Sequence, residues 1–160
     1  MKDILIAIIW ALVLCGPAWA GSMPPPKSVA IAGAVANPGS VTKEDLDRMS
    51  SVDVTLSQKT DKGLSQGAFR GALLWTIIDH AGLVNGPEKN AYLRHTILVT
   101  GADGYAAAIS EGEIDPKLEG KQIILATTKD GVPLSRPCLV VPGDAHAPRS
   151  VHDVVSIDVK

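Results

Sequence analysis

Two features of the sequence, and the absence of a third, predict an α+β domain with a mixed or antiparallel sheet and few helices. Short apolar or alternating segments recur between turn-forming residues, which is strand behaviour. Two segments carry apolar residues at helical spacing. No strand–helix–strand rhythm links them, which argues against a doubly wound parallel sheet. No internal repeat of useful period is visible.

In chain order, Ser28 to Val35 reads as a strand that ends at the turn Asn37-Pro38-Gly39. Thr42 to Met49 reads as a short helix: Thr42 is a capping residue, Glu44 and Asp45 fill the first turn, and Leu46 and Met49 form an apolar pair. Val52, Val54 and Leu56 alternate with polar neighbours, so residues 51–57 are expected to be a half-buried strand. Residues 58–66 are polar and aperiodic, and read as a loop. Phe69 to His80 reads as the longest helix, with Leu73, Leu74, Ile77, Ile78 and Ala81 on one face and Gly82 as its stop. Trp75 lies partly off that stripe and is expected to pack under a loop.

Residues 96–100 and 105–109 read as two strands around Gly101-Ala102-Asp103-Gly104, whose Asp-Gly pair favours a tight hairpin turn. Residues 122–127 and 139–141 are apolar strands, with a further Asp-Gly turn at Asp130-Gly131 between them. Val155, Ile157 and Val159 alternate in a last strand over residues 151–159.

Ahead of this domain, Lys2 precedes an apolar run from Ile4 to Cys15, and Ala18 and Ala20 stand at −3 and −1 of a cut after Ala20. That is the pattern of a secretory signal over residues 1–20, and it predicts a periplasmic or secreted protein. The run falls short of the about 20 apolar residues a bilayer span requires, so no stable membrane span is expected after processing. Residues 21–27 form a stiff Pro-rich tail, and residues 28–160 the folded domain.

The chain of 160 residues carries 15 basic and 17 acidic side chains, a net charge of −2 that gives no cationic footprint for nucleic acid. After the leader the aromatics are Phe69, Trp75, Tyr92 and Tyr105, too few for a base-stacking surface. An apolar content of 46% belongs to a globular domain. Past the leader, Cys138 is the one cysteine, so no internal disulfide can form. Its apolar setting, Cys138-Leu139-Val140-Val141, predicts a buried, quiet thiol. Asp144, His146, His152 and Asp153 cluster near the end at a spacing that matches no standard zinc ligand set. No Gly-x-Ser-x-Gly elbow and no phosphate-cradling Gly-rich loop is present.

Six short blocks, in order, resemble the molybdopterin-binding domain of the sulfite-oxidase type of oxidoreductase. They are Gly33-Ala34-Val35 with Pro38; Phe69-Arg70-Gly71-Ala72-Leu73-Leu74-Trp75 with Ala81-Gly82-Leu83; Gly101-Ala102-Asp103-Gly104-Tyr105; Asp130-Gly131-Val132-Pro133-Leu134; Leu139-Val140-Val141-Pro142-Gly143-Asp144; and Arg149-Ser150-Val151. The resemblance covers about Val29 to Val159. It implies a sulfite-oxidase-like α+β fold, a molybdenum–pterin cofactor held in a loop-lined cleft, and oxidoreductase activity carried by the metal.

The chain also departs from that pattern. The family's molybdenum-binding cysteine has no counterpart in Thr55 to Thr60, where Ser57 would offer only a hard oxygen donor. His152 stands where the family tends to place a lysine aimed at the pterin phosphate.

A phosphorylated or pterin-like ligand would draw on Arg149, Ser150 and His152, with Arg70 as a second charge and Asp103 and Tyr105 facing the cleft. Asp103 reads first as turn chemistry. Two functions therefore stand side by side: a molybdenum-dependent oxidoreductase with a degenerate metal site, and a cofactor-free module that binds a small molecule or a protein. A fainter likeness of Val29 to Gly39 to the β-grasp modules of polysaccharide export proteins adds an envelope interaction domain to the second class.

Overall fold

The computed structural model describes residues 27–160. The leader predicted over residues 1–20, and residues 21–26 of the Pro-rich tail, lie outside the described residues. Nine strands make two sheets. One has the order β2–β1–β9–β5–β6, built from β1 (Ser28–Gly33), β2 (Gly39–Thr42), β5 (Thr96–Gly101), β6 (Ala106–Ser110) and β9 (Val154–Val159). Its β1–β9 pair is parallel and its other pairs are antiparallel, so the sheet is mixed. The other sheet is antiparallel, order β3–β4–β7–β8, from β3 (Ser51–Thr60), β4 (Gly63–Leu73), β7 (Ile124–Lys129) and β8 (Val132–Val140). Three short α-helices, α1 (Lys43–Arg48), α2 (Leu74–Ala81) and α3 (Glu111–Ile114), and a single 3-10 turn at Ala91–Arg94 complete the described chain. This is the α+β class that the sequence predicts.

Period-two alternation explains how the antiparallel sheet is buried on both faces. Along β7 and β8, Leu125 and Leu139 enter the main core, while Ile124, Ala126, Cys138 and Val140 enter a smaller cluster on the opposite face. The main core lies between the two sheets and is closed by Leu46 of α1 and by Leu74, Ile77, Ile78 and Ala81 of α2. The smaller cluster adds Val54 and Leu56 of β3 and is flanked by Phe69 of β4.

Helix α1 begins as expected. The Thr42 side chain accepts from the Asp45 amide, while the Asp45 carboxylate accepts from the Thr42 amide, a reciprocal capping box. Two elements differ from the sequence reading. Residues 58–66 belong to a long β3–β4 hairpin that turns at Asp61-Lys62. Most of its tip is exposed on both faces, so it lacks the alternation that marks a half-buried strand. The helix also begins at Leu74 instead of Phe69. Residues 69–73 continue β4 against β7, with a register shift between Arg70 and Gly71.

Candidate functional site

Residues 141–153 leave β8, cross β3 and return to β8, roofing the outer face of the antiparallel sheet. Three contacts hold them there. The Lys59 amide donates to the Ala145 carbonyl at 3.0 Å, Gln58 Nε2 donates to the Val141 carbonyl at 3.1 Å, and the Leu139 amide donates to the Val151 carbonyl at 2.8 Å. Gln58 is thus a buried polar residue with a partner, as burial of an amide demands. Its Oε1 also accepts from Ser150 Oγ at 3.4 Å.

Beneath this roof is a hollow of about 90 Å³ whose lining includes Gln58, Phe69, Cys138, Val140, Ser150 and His152. Beside it, between Lys59 to Asp61 at the hairpin tip and His146 to Pro148 of the roof, runs a groove of about 560 Å³. Residues 146–148 thus line the groove, and Ala147, Ser150 and His152 line the hollow beneath the roof.

The predicted site residues divide. Ser150 and His152 line the small hollow. The exposed Tyr105 hydroxyl donates to the Pro148 carbonyl and so braces the roof from the β5–β6 hairpin. Asp103 Oδ1 accepts from the Tyr105 amide at 2.9 Å, a turn-forming bond. Arg70 sits on the β3–β4 hairpin in an exposed ion pair with Asp53 at 2.8 Å and lines neither hollow.

Arg149 is held by carboxylates. Its Nε and Nη2 donate to Asp144 Oδ2 and Oδ1 at 2.9 and 2.6 Å, and its Nη1 donates to Glu113 Oε1 and Oε2 at 3.0 and 3.1 Å. Lys121 Nζ adds a bond to Glu113 at 2.9 Å and lies 3.7 Å from Asp144. The hydrogen bonds from Arg149 hold the Asp144 carboxyl below the usual carboxylate range, outweighing its partial burial. The bonds to Asp144 and Glu113 in turn raise the pKa of the guanidinium. Glu113 and Lys121 escaped sequence reasoning because they lie well upstream in the chain, Glu113 being 36 positions from Arg149. No local spacing signals such a contact.

Cys138 Sγ lies 3.7 Å from His152 Nδ1. Burial, then the negative charge of Asp153, pushes the thiol pKa up to about 11, against a small opposing effect of Lys129. His152 therefore does not generate a ready nucleophile. Labelling of the folded protein with a thiol-specific alkylating reagent at pH 7.5, located by peptide mass, is expected to modify Cys138 at least about a hundredfold more slowly than in urea. Equal rates would show that the roof does not cover the thiol. Among the described residues, no group of three or more His, Cys, Asp or Glu side chains is placed to share a metal ion.

No protein-family model and no curated protein matches the chain. Among solved structures, it is similar to the sulfane dehydrogenase SoxCD from Paracoccus pantotrophus, with a TM-score of 0.66 over 83% of this chain at 20% sequence identity. The chain spans 38% of the length of that protein's chain. The likeness establishes the fold, which is the sulfite-oxidase-like molybdopterin-binding fold with a mixed and an antiparallel sheet.

Proposed function

We propose that this chain is an exported, cofactor-free binding module on a sulfite-oxidase-like fold, acting in the periplasm or beyond. Its groove between the hairpin tip and residues 146–148 takes a small molecule or a segment of a protein partner. The observation that carries this reading is the state of Arg149. The one guanidinium on the roof is already neutralised by Asp144 and Glu113, so it offers little net charge to a phosphate. The groove itself presents Lys59, Asp61 and His146, a mixed lining suited to a polar ligand of low net charge.

The residues present do not fit a molybdenum–pterin cofactor. Ser57 is exposed, accepts a hydrogen bond from Gln66 at 3.2 Å, and is a hard oxygen donor where a soft thiolate is required. Cys138 is buried and its thiol pKa is raised, which disfavours the thiolate a metal needs. The competing reading, a molybdenum-dependent oxidoreductase, draws its support from the likeness in fold, and a fold persists readily after its site is lost.

One measurement separates the two. Protein purified from a molybdenum-replete host is expected to carry only background molybdenum by elemental analysis, with no pterin fluorescence after acid release. Stoichiometric metal with releasable pterin would overturn the binding-module reading. A binding module is also expected to gain thermal stability in a screen of small polar metabolites, because a ligand that binds only the folded state stabilises it.

A further inference from the structure

A second hollow, of about 320 Å³, lies elsewhere in the fold and shares no lining residue with the groove or the hollow beneath the roof. Trp75 and Asp79 of α2 form one wall. Leu83, Asn85 and Tyr92 lie on the segment that follows, and Glu111 at the start of α3 and Asp115 just past its end form the acidic side. Its volume falls in the range of small-molecule sites.

Both carboxylates are buried, Glu111 at 1% and Asp115 at 3% exposure. Asp115 Oδ1 accepts from the Lys117 amide at 2.8 Å. Glu111 Oε2 has no hydrogen-bond partner, and among the described residues it is the one buried side-chain oxygen or nitrogen in that condition. A buried carboxylate oxygen left without a donor costs free energy, so such an atom calls for a partner. Burial first, and Asp115 second, raise the Glu111 pKa, in keeping with a carboxyl that lacks a countercharge.

The donor Glu111 lacks must come with positive charge and a modest body. Asp79, Glu111 and Asp115 outnumber the single cation Lys117 along the lining. The carboxylates do not converge as a metal site would. Half-buried Trp75 and Tyr92 supply aromatic surface, against which a cation or an apolar body can pack.

We infer that this hollow is a binding site for a small organic cation, a protonated amine on an apolar or aromatic body, with Glu111 as its countercharge and Trp75 and Tyr92 as its walls. The inference stands independently of the reading of the groove.

The test compares benzylamine with the uncharged benzyl alcohol on the full chain, by calorimetry and by tryptophan fluorescence, with Trp75→Phe separating the Trp75 signal from that of Trp10 and Trp19. Benzylamine is expected to bind saturably, at least about tenfold tighter than the alcohol, and to perturb Trp75 emission. Glu111→Gln is expected to weaken the amine about tenfold or more and leave the alcohol unchanged, whereas Arg48→Ala, on the exposed face of α1, changes neither. Should Glu111→Gln fail to fold, Asp79→Asn on the exposed rim is expected to weaken the amine severalfold. Equal affinity for amine and alcohol, binding of neither, or a folded Glu111→Gln that retains full amine affinity would each overturn the inference.

Discussion

Gly71→Ala is expected to destabilise the domain by about 3–4 kcal/mol. A Cβ at Gly71 would lie 2.1 Å from the Leu125 carbonyl oxygen and 2.5 Å from Ala126 Cα. Both are backbone atoms of β7, so no side chain can turn aside. Relief requires β4 and β7 to separate beside the register shift at Arg70/Gly71. That would also disturb Ala72 and Leu125, which are fully buried in the main core. Gly39→Ala is the matched control, since a Cβ there meets nothing within 4 Å. In urea or thermal melts, Gly71→Ala should fall well below the wild type, while Gly39→Ala should stay within about 0.5 kcal/mol of it. Equal stability of the two variants would mean that the β4–β7 register is not the one described.

Arg149→Ala is the second large effect, at about 2 kcal/mol. The substitution strips the guanidinium from Asp144 and Glu113, both largely shielded from water, and leaves only Lys121 to compensate. Loss of one partner from a shielded ion-pair network is more damaging than the pair's net contribution suggests. The loss should be pH-dependent. Asp144 titrates below its unfolded value of 3.8, so its contribution is complete above that pH and disappears as the pH falls through the folded value. Wild type and Arg149→Ala should therefore differ most near neutrality and converge in strong acid. A stability difference that stays constant down to pH 2 would refute this account of the network. Arg149→Lys should recover only part of the loss, because an ammonium cannot donate in two planar pairs at once.

The parts of the fold that the sequence revealed are those governed by local chemistry. The β5–β6 hairpin is visible because an Asp-Gly turn joins two short apolar segments whose paired residues lie only six to fourteen positions apart. Thr42 and Asp45 reveal the start of α1 for the same reason. The N-terminal boundary of α2 was hidden because Phe69 and Leu73 are spaced like a helical pair, while the feature that makes them strand is the approach of β7, more than 50 positions on. The hairpin over residues 58–66 was hidden because a ladder exposed on both faces leaves no apolar alternation.

The site was legible to a similar depth. That residues 143–152 form an irregular connection follows from their Gly, Pro and polar content between two apolar strands, whereas a cleft beside them was only what the family resemblance implies. That Arg149 points at Glu113 and Asp144 does not follow, because a side chain's choice among partners is settled only by tertiary packing. The acidic hollow beside α2 was invisible for a related reason. Glu111 opens α3 like any first-turn acid, and its burial depends on elements that close over it from elsewhere.

The place of β9 in the mixed sheet has a consequence for biosynthesis. It lies between β1 and β5, so without residues 154–159 that sheet is two unconnected hairpins, β1–β2 and β5–β6. Neither isolated hairpin can bury an apolar face by itself. The sheet can assemble only once β9 has cleared the ribosome, and its most distant pairing, β1 with β9, must close a loop of more than 120 residues. Until residues 154–159 emerge, the apolar faces of β1–β2 and β5–β6 stay uncovered, which leaves the nascent polypeptide open to factors that act on unfolded chains.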